Sequence, residues 1–253
     1  VSRRGTRDVI VLQAIDGVQL WDVADVASPK RLSSLKLPGA VDSNYGPGIW
    51  WVSWQGRWLY VGGSSSGLYV VDALDVEQPV LADLGPMPNP VPIAQTGGFR
   101  IGPVFAMGNQ LFLTSMDQKG MASLDIGDPR KPTLVASRKE DSPGMYAAAL
   151  NGGRLYLAGL ENDVWAADVR TKGQLSLLGS VTTGGRGGYL TVQDGFLHAG
   201  ASAHYVKIDA RDDAAMTVLG TASHTQASHD DDFGTAIGNL VLVGDDHGHG
   251  SFF

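Results

Sequence analysis

The stretch Gly67-Leu68-Tyr69-Val70-Val71-Asp72-Ala73-Leu74-Asp75, followed by Pro79, decides the fold because it recurs along the chain. Close copies occupy 17–29 and 120–132, and weaker copies occupy 163–169 and 204–210. Every copy has an aspartate at the same place: Asp22, Asp72, Asp125, Asp168 and Asp209. The spacings between these aspartates are 50, 53, 43 and 41 residues, which is the period of a propeller blade and not of a helical solenoid.

Each copy is one strand of a four-stranded unit. In the second repeat, an apolar strand at 58–61 precedes the copy of the repeated stretch. A strand of small and apolar residues at 49–54 precedes the strand at 58–61. A further strand, at 80–84, follows the aspartate. Glycine-containing turns join these strands, which indicates an antiparallel meander. We name its strands a, b, c and d from the inside out.

Four-stranded units at this period predict an all-β fold, a β-propeller of antiparallel blades. We count strands b to d of a first blade, four complete blades, and strands a and b of a sixth, or 21 strands in about 5.5 blades. The intact protein is then expected to have six or seven blades. The sequence predicts a single propeller domain over residues 1–253, truncated at its C-terminus. The run 86–92, with four prolines, predicts a stiff surface spacer between blades.

The repeated stretch resembles the LVIVD repeat, whose pattern is roughly G-L-x-I-V-D-V-S-D-P-x-x-P. The copies at Asp168 and Asp209 depart from that pattern, and we interpret both as lacking the downstream aspartate and proline. LVIVD-repeat proteins are bacterial and archaeal propellers, usually exported or surface-anchored, and mostly without a known activity. The resemblance therefore implies a fold and an exported location, and it assigns no catalytic residue.

The repeating residues have a structural interpretation. The aspartate that ends strand c is expected to accept hydrogen bonds from backbone N–H groups of the following turn, and the second aspartate to do the same one turn later. The proline fixes φ where the outer strand d begins. Large aromatic side chains are expected to fill space between blades, namely Trp21, Tyr60, Tyr69, Tyr156 and Trp165.

Composition excludes several classes of protein. Hydrophobic residues make up 43% of the chain and charged residues 18%, which excludes a disordered polypeptide. Because cysteine is absent, disulfide scaffolds and cysteine-based metal sites are excluded. The net charge of −7 argues against nucleic acid as a partner. No apolar run reaches the length of a membrane helix, so no transmembrane segment is predicted.

The order of strands predicts where chemistry can take place. Since strand direction alternates, the loops from d to a and from b to c lie on one face of the propeller, which we call the loop face. Two loops of the last blade are rich in histidine and aspartate. They supply the candidate metal ligands His224, His229, Asp231, Asp232, Asp245, Asp246, His247 and His249. Imidazole and carboxylate suit zinc or copper, and carboxylate with carbonyl suits calcium. The alternative is a set of solvated turn residues.

A second candidate site lies at the mouth of the central channel. Arg186 lies within Gly184-Gly185-Arg186-Gly187-Gly188, and Arg100 follows Gly97-Gly98. Both arginines are in d–a loops, and His204 is in a b–c loop of the same face. The two arginines are candidate ligands for an anion, and His204 is a further candidate ligand residue at the channel mouth. His198, at the end of a strand, is expected inside its blade.

We weigh three functions. The favoured one is a non-enzymatic binding or scaffold propeller that takes a protein or small molecule on its loop face. The second is a metal-dependent hydrolase or oxidase that uses the histidine and aspartate loops, with a metal-bound water as nucleophile. The third is a propeller that binds calcium for structural reasons only. No further motif identifies a substrate, so the sequence leaves open whether the chain is an enzyme and favours a non-enzymatic role.

Overall fold

The computed structural model describes residues 2–4, 7–41, 48–202, 204–223, 233–244 and 250–252. The chain divides into two compact units. The first comprises Val1–Ser115 with Met121–Lys139, and the second comprises Met116–Gly120 with Glu140–Phe253.

The first unit holds three four-stranded antiparallel sheets, each with its strands in sequence order from the inside out. Blade 1 contains β1 (Ser2–Arg4), β2 (Arg7–Ala14), β3 (Gly17–Asp22) and β4 (Lys30–Lys36). Blade 2 contains β5 (Trp51–Gln55), β6 (Trp58–Gly62), β7 (Leu68–Asp72) and β8 (Val80–Leu81). Blade 3 contains β9 (Ile101–Met107), β10 (Gln110–Ser115), β12 (Met121–Asp125) and β13 (Thr133–Arg138).

The second unit holds two sheets. Blade 4 contains β14 (Gly144–Asn151), β15 (Arg154–Gly159), β16 (Asp163–Asp168) and β17 (Ser176–Thr182), and β11 (Gln118–Lys119) pairs with β14 at its inner edge. Blade 5 contains β18 (Gly187–Gln193), β19 (Phe196–Ala201), β20 (Tyr205–Asp209) and β21 (Thr217–Ala222). Blade 6 contains β22 (Phe233–Ile237), β23 (Leu240–Gly244) and β24 (Gly250–Phe252). It joins blade 5 through one parallel pair, Tyr189 with Phe233.

The all-β propeller of antiparallel four-stranded blades is therefore confirmed. The strand count was too low, because β1, β11 and β24 are present in addition to the expected 21. All three are only two or three residues long, which is too short for a period of two residues to mark them. Within the described residues the one helical turn is a 3₁₀ segment over Ile93–Gln95.

The proline-rich run 86–92 is more than a spacer. Its Asn89 side chain donates to the carbonyl oxygens of Val70 and Ala82 and accepts from the amide of Val70. Val91 exchanges two backbone hydrogen bonds with Leu68 and is fully buried. This segment therefore takes over the hydrogen bonds that the end of an outer strand would make. That explains why β8 ends at Leu81 and not at the expected residue 84.

The repeating aspartates behave as predicted in all five copies. Oδ1 of each accepts a hydrogen bond from the backbone N–H two residues later, at 2.8 to 3.0 Å, and the five donors are Ala24, Leu74, Gly127, Arg170 and Arg211. The second aspartate repeats the contact in Asp25, Asp75 and Asp128. Asp212 does the same toward Ala214. The copy at Asp209 therefore does not lack its downstream aspartate, and that interpretation was wrong.

The middle strands of the blades, such as β6, β7, β10 and β12, are buried at nearly every position, so the core lies on both faces of the sheets. Among the five aromatic residues expected between blades, Tyr60, Tyr69 and Tyr156 are buried. Trp21 and Trp165 are only partly buried. Trp165 lies beside a cleft, as described below, because the neighbouring loops leave space next to its ring.

Candidate functional site

The loop face of the second unit is where the described structure brings polar residues together. The loop from β17 to β18 contacts the loop from β19 to β20, as the order of strands predicts. Ser202 Oγ donates to the carbonyl of Arg186 at 3.3 Å. His204 Nε2 lies 2.9 Å from the carbonyl oxygen of Thr183. His204 and Arg186 are thus held in adjacent loops.

Arg186 is paired with a carboxylate. Its Nη2 lies 2.5 Å from Oδ1 of Asp117, and its guanidinium group lies 5.6 Å from the centre of the Tyr146 ring. The Arg186 side chain is 50% exposed, whereas the Asp117 side chain is 11% exposed. Asp117 was not a sequence candidate. Its position in a b–c loop of the repeat was the one signal that pointed to the loop face.

Arg100 lies in the first unit, in the loop that leads into β9. Arg186 and His204 lie in the second unit, and the site of the three residues at the channel mouth stays a prediction. The set of eight histidines and aspartates from 224 to 249 lies outside the described residues. In the part of the chain that is described, no group of three or more such side chains is arranged to hold a metal ion. The metal-site prediction stays a prediction.

A cleft of about 240 Å³ opens on the same unit, beside blade 4. Its walls come from the loop that leads into β14, from the loop between β15 and β16, and from β11, β16 and β17. The lining residues are Lys119, Glu140, Asp141, Ser142, Pro143, Gly144, Glu161, Asp163, Trp165 and Leu177. Four carboxylates and one amine thus surround an indole ring, so the cleft is acidic.

Asp163 has the least favourable environment of these carboxylates. Its Oδ2 accepts a hydrogen bond from Trp165 Nε1. Its Oδ1 is buried and has no hydrogen-bond partner among the described residues. Burial raises the pKa of Asp163, the Trp165 hydrogen bond opposes that shift, and nearby Glu161 adds to it. A buried carboxylate oxygen without a partner destabilises the fold, because it loses its hydration without compensation.

Gly159 makes room for this carboxylate. A Cβ atom at Gly159 would lie 1.7 Å from Asp163 Oδ1, so any larger side chain would displace the Asp163 carboxylate. The end of β15 and the start of β16 therefore leave space for the Asp163 carboxylate, although its burial is unfavourable. The sequence showed the Asp163–Trp165 strand only as a weak copy of the repeat, and it gave no separate signal for the cleft.

His198 lies inside its blade, as expected. It is 5% exposed, and its Nδ1 lies 2.6 Å from the Tyr205 hydroxyl oxygen. Burial lowers the pKa of His198, and the charge of Lys207 lowers it further. Burial also raises the pKa of Tyr205 to about 12. The pair is neutral at pH 7 and lies within the blade core, away from the cleft lining.

Comparison with known proteins supports the fold alone. No family model matches the chain, and no curated protein matches it. A chain in the crystal structure of a mitotic checkpoint complex superposes with a TM-score of 0.68 at 11% identity, covering 96% of this chain and 70% of that one. BamB from Moraxella catarrhalis gives 0.57 at 16% identity, covering 100% and 71%. Hsv2 from Kluyvelomyces marxianus gives 0.59 at 10% identity, covering 97% and 68%.

These three structures have WD40-like or β-propeller-like folds. At such low identity the likeness carries no residue from them to this chain. Among the described residues, no helix is both long and apolar enough to cross a membrane.

Proposed function

We propose that this chain is a non-enzymatic binding propeller of the LVIVD-repeat type, and that the acidic cleft of blade 4 is its ligand site. The observation that carries the proposal is the cleft itself, a cavity of about 240 Å³ with four carboxylates around the Trp165 ring. The repeating carboxylates are all used in turns, whereas those of the cleft do not recur from blade to blade. Propellers commonly place binding residues on loops held by a rigid scaffold.

The chemistry of the cleft favours a cationic group. Carboxylates attract an ammonium or guanidinium group, and an indole face adds a cation–π contribution of about 0.5–2 kcal/mol. Lys119 lies in the cleft and its Nζ makes a 3.4 Å contact with the backbone carbonyl of Glu140. One amine against four carboxylates leaves the lining with a net negative charge. We propose that the natural ligand presents a lysine or arginine side chain, supplied by a partner protein. The mitotic checkpoint complex, in which a similar chain is found, supports a role in protein assembly.

Binding of blocked amino acids tests this proposal directly. N-acetyl-lysine methylamide and N-acetyl-arginine methylamide are titrated while tryptophan fluorescence is followed, with the norleucine and glutamate analogues as matched controls. We expect saturable quenching by the two cationic probes only, lost in Trp165→Phe and weakened about tenfold by Glu161→Gln. Equal responses to lysine and norleucine, or none to either cation, would overturn the proposal.

The resemblance to LVIVD-repeat proteins also supports an exported location in a bacterium. Exposure of the protein to protease added to intact producing cells tests this, and protection equal to that of a cytoplasmic marker would contradict it. The metal-dependent enzyme and the calcium-binding propeller are tested by elemental analysis of the purified protein. A stoichiometric transition metal favours the first, and calcium favours the second.

A further inference from the structure

Arginine side chains of this chain are held in one recurring way, between an aromatic ring and a carboxylate. In blade 2 the guanidinium carbon of Arg57 lies 4.9 Å from the centre of the Trp58 ring. The same guanidinium group binds both carboxylate oxygens of Asp72, with Nε 2.8 Å from Oδ1 and Nη2 paired with Oδ2. Trp58 and Asp72 are partners across β6 and β7, so a ring and a carboxylate on neighbouring strands bind one guanidinium group together.

The second unit contains two further examples of this arrangement. In blade 5 the guanidinium carbon of Arg211 lies 5.1 Å from the centre of the Phe196 ring. Its nitrogens lie 2.5 to 3.2 Å from both carboxylate oxygens of Asp209. The loop face holds the other example, which consists of Arg186, Tyr146 and Asp117. The three rings are of three different kinds, so the arrangement depends on the planar guanidinium group, which stacks on a ring and keeps its N–H donors free for a carboxylate.

The cleft of blade 4 has the ring and the carboxylates of this arrangement without the arginine. Its lining includes Trp165, Asp163 and Glu161, and none of the described residues that line it is an arginine. Lys119, the cation of the lining, contacts the backbone carbonyl of Glu140. Trp165 Nε1 donates to Asp163 Oδ2, and since an indole N–H lies in the ring plane, this carboxylate lies at the edge of the ring. The cleft therefore has a place for a guanidinium group that its own lining does not supply.

A guanidinium group suits these surroundings better than an ammonium group does. It is planar and weakly hydrated, so it stacks on an indole face, and its N–H donors point outward in several directions. The carboxylates of the cleft come from two walls, one formed by residues 140–144 and the other by residues 161–165. Donors that point in several directions can reach both walls at once. An ammonium group is a strongly hydrated point charge, so it loses more hydration when it enters the cleft.

We infer that the cleft of blade 4 takes the guanidinium group of an arginine side chain, presented by a partner protein, and discriminates against lysine. The inference rests on the proposed function, because it names the chemical group that the same cleft binds. The cleft volume of about 240 Å³ is below the roughly 300–1,000 Å³ of pockets for drug-sized ligands, which suits one long side chain. Trp165 stacks on the guanidinium group, and Glu161, which is exposed in the β15–β16 loop, pairs with its N–H donors.

Isothermal titration calorimetry of the whole chain with blocked amino acids tests the inference. The probes are the N-acetyl methylamides of arginine, lysine and citrulline, and citrulline has nearly the shape of arginine without its charge. We expect arginine to bind at least about tenfold more tightly than lysine, and citrulline to give no measurable binding. Equal dissociation constants for arginine and lysine would overturn the inference and leave the proposed function standing. Binding of neither cation, or of citrulline as tightly as arginine, would overturn both.

Two variants test the contacts that set the preference. Trp165→Leu removes the ring and is expected to weaken arginine binding about tenfold and lysine binding by less. Trp21→Leu, which removes a partly buried tryptophan of blade 1, is the matched control and is expected to bind arginine as the unmodified chain does. Glu161→Gln changes an exposed loop residue, so it gives a result even if Trp165→Leu does not fold, and it is expected to weaken arginine binding about tenfold. A folded Trp165→Leu chain that keeps the full preference for arginine, or unchanged arginine binding in Glu161→Gln, would overturn the inference.

Discussion

Two sets of carboxylates lie at two different kinds of loop, and their surroundings differ. One set is hydrogen-bonded by backbone amides, whereas the other has buried oxygens without hydrogen-bond partners among the described residues. The repeating aspartates that end each strand c are satisfied by the backbone amides of the turns that follow them. Arg211 holds the pKa of Asp209 at about 2, by hydrogen bonds from its side chain and its amide. On the loop face of the second unit, Asp117 Oδ2 and Asp163 Oδ1 are buried without hydrogen-bond partners among the described residues. Burial raises the pKa of Asp163.

Backbone strain is common to the b–c loops of both units. Four of the b–c loops hold a non-glycine residue in the left-handed region, namely Ser64, Asp117, Asn162 and Ser202. Such residues cost free energy and tend to cluster at binding sites. The difference between the two sets of carboxylates indicates that the repeating aspartates stabilise the fold. The buried carboxylate oxygens on the loop face of the second unit do not stabilise it, so their presence points to another role. The predictions below test this division.

The largest effect is expected where a turn carboxylate also joins two blades. Arg154 Nε lies 2.5 Å from Oδ2 of Asp213, and Arg154 Nη1 lies 3.0 Å from Oδ2 of Asp168. Arg154→Ala leaves the largely buried Asp213 without a cation and Asp168 with Arg170 alone, and it is expected to lower the free energy of unfolding by about 3 kcal/mol. Urea denaturation measures this loss. The matched control, Arg211→Ala, removes a 66% exposed partner of Asp209 and is expected to leave the free energy of unfolding nearly unchanged, because solvent screens an exposed ion pair. Equal losses would contradict the account.

A smaller loss of stability is expected when a repeating aspartate is replaced. Asp72 accepts from the Leu74 amide at 3.0 Å and pairs with Arg57. Asp72→Ala removes both contacts and is expected to cost about 1–2 kcal/mol. Asp72→Asn keeps an oxygen for the amide and is expected to cost about half as much, as read from the same denaturation curves. If the two variants were equally unstable, the turn hydrogen bond would not be the stabilising contact.

In the cleft, replacing a carboxylate is expected to raise the free energy of unfolding. Asp163→Asn removes a charge that burial disfavours, while its side-chain oxygen still accepts from Trp165 Nε1. Its free energy of unfolding at pH 7 is therefore expected to rise by less than about 1 kcal/mol. Because protonation of Asp163 also removes the charge, the gain is expected to shrink as pH falls through its raised pKa. Calorimetric melts at several pH values measure it, and a loss of stability at pH 7 would show that the Asp163 charge is structural.

The smallest effect concerns His198 in the core of blade 5. Its folded pKa lies below the unfolded value, so its contribution is fully present above about pH 6.5 and declines as pH falls below that value. His198→Gln is expected to melt with a shallower fall in Tm between pH 7 and pH 5 than the unmodified chain. Parallel slopes for the two proteins would mean that the pKa of His198 is the same in the folded and unfolded chain, and would contradict this expectation.

The sequence predicted the features that recur from blade to blade and missed the features that occur in one blade only. The aspartate turns recur at one spacing, so a single chain was enough to assign their role. Asp212 was missed because the proline expected four residues later is Met216. The cleft was missed because its walls come from β11, two loops and two strands, which only the fold brings together. Asp117 and Arg186 are 69 residues apart, and no periodic pattern connects them.

One titration tests the division most directly. The dissociation constant of N-acetyl-lysine methylamide is measured for the unmodified chain, for Asp163→Asn with Glu161→Gln, and for Asp72→Asn. We predict that the cleft double variant binds at least about tenfold more weakly without loss of stability. Asp72→Asn is predicted to bind as the unmodified chain does while being less stable. Unchanged binding in the double variant, or weakened binding in Asp72→Asn, would contradict the assignment of binding to the cleft and of stability to the repeat.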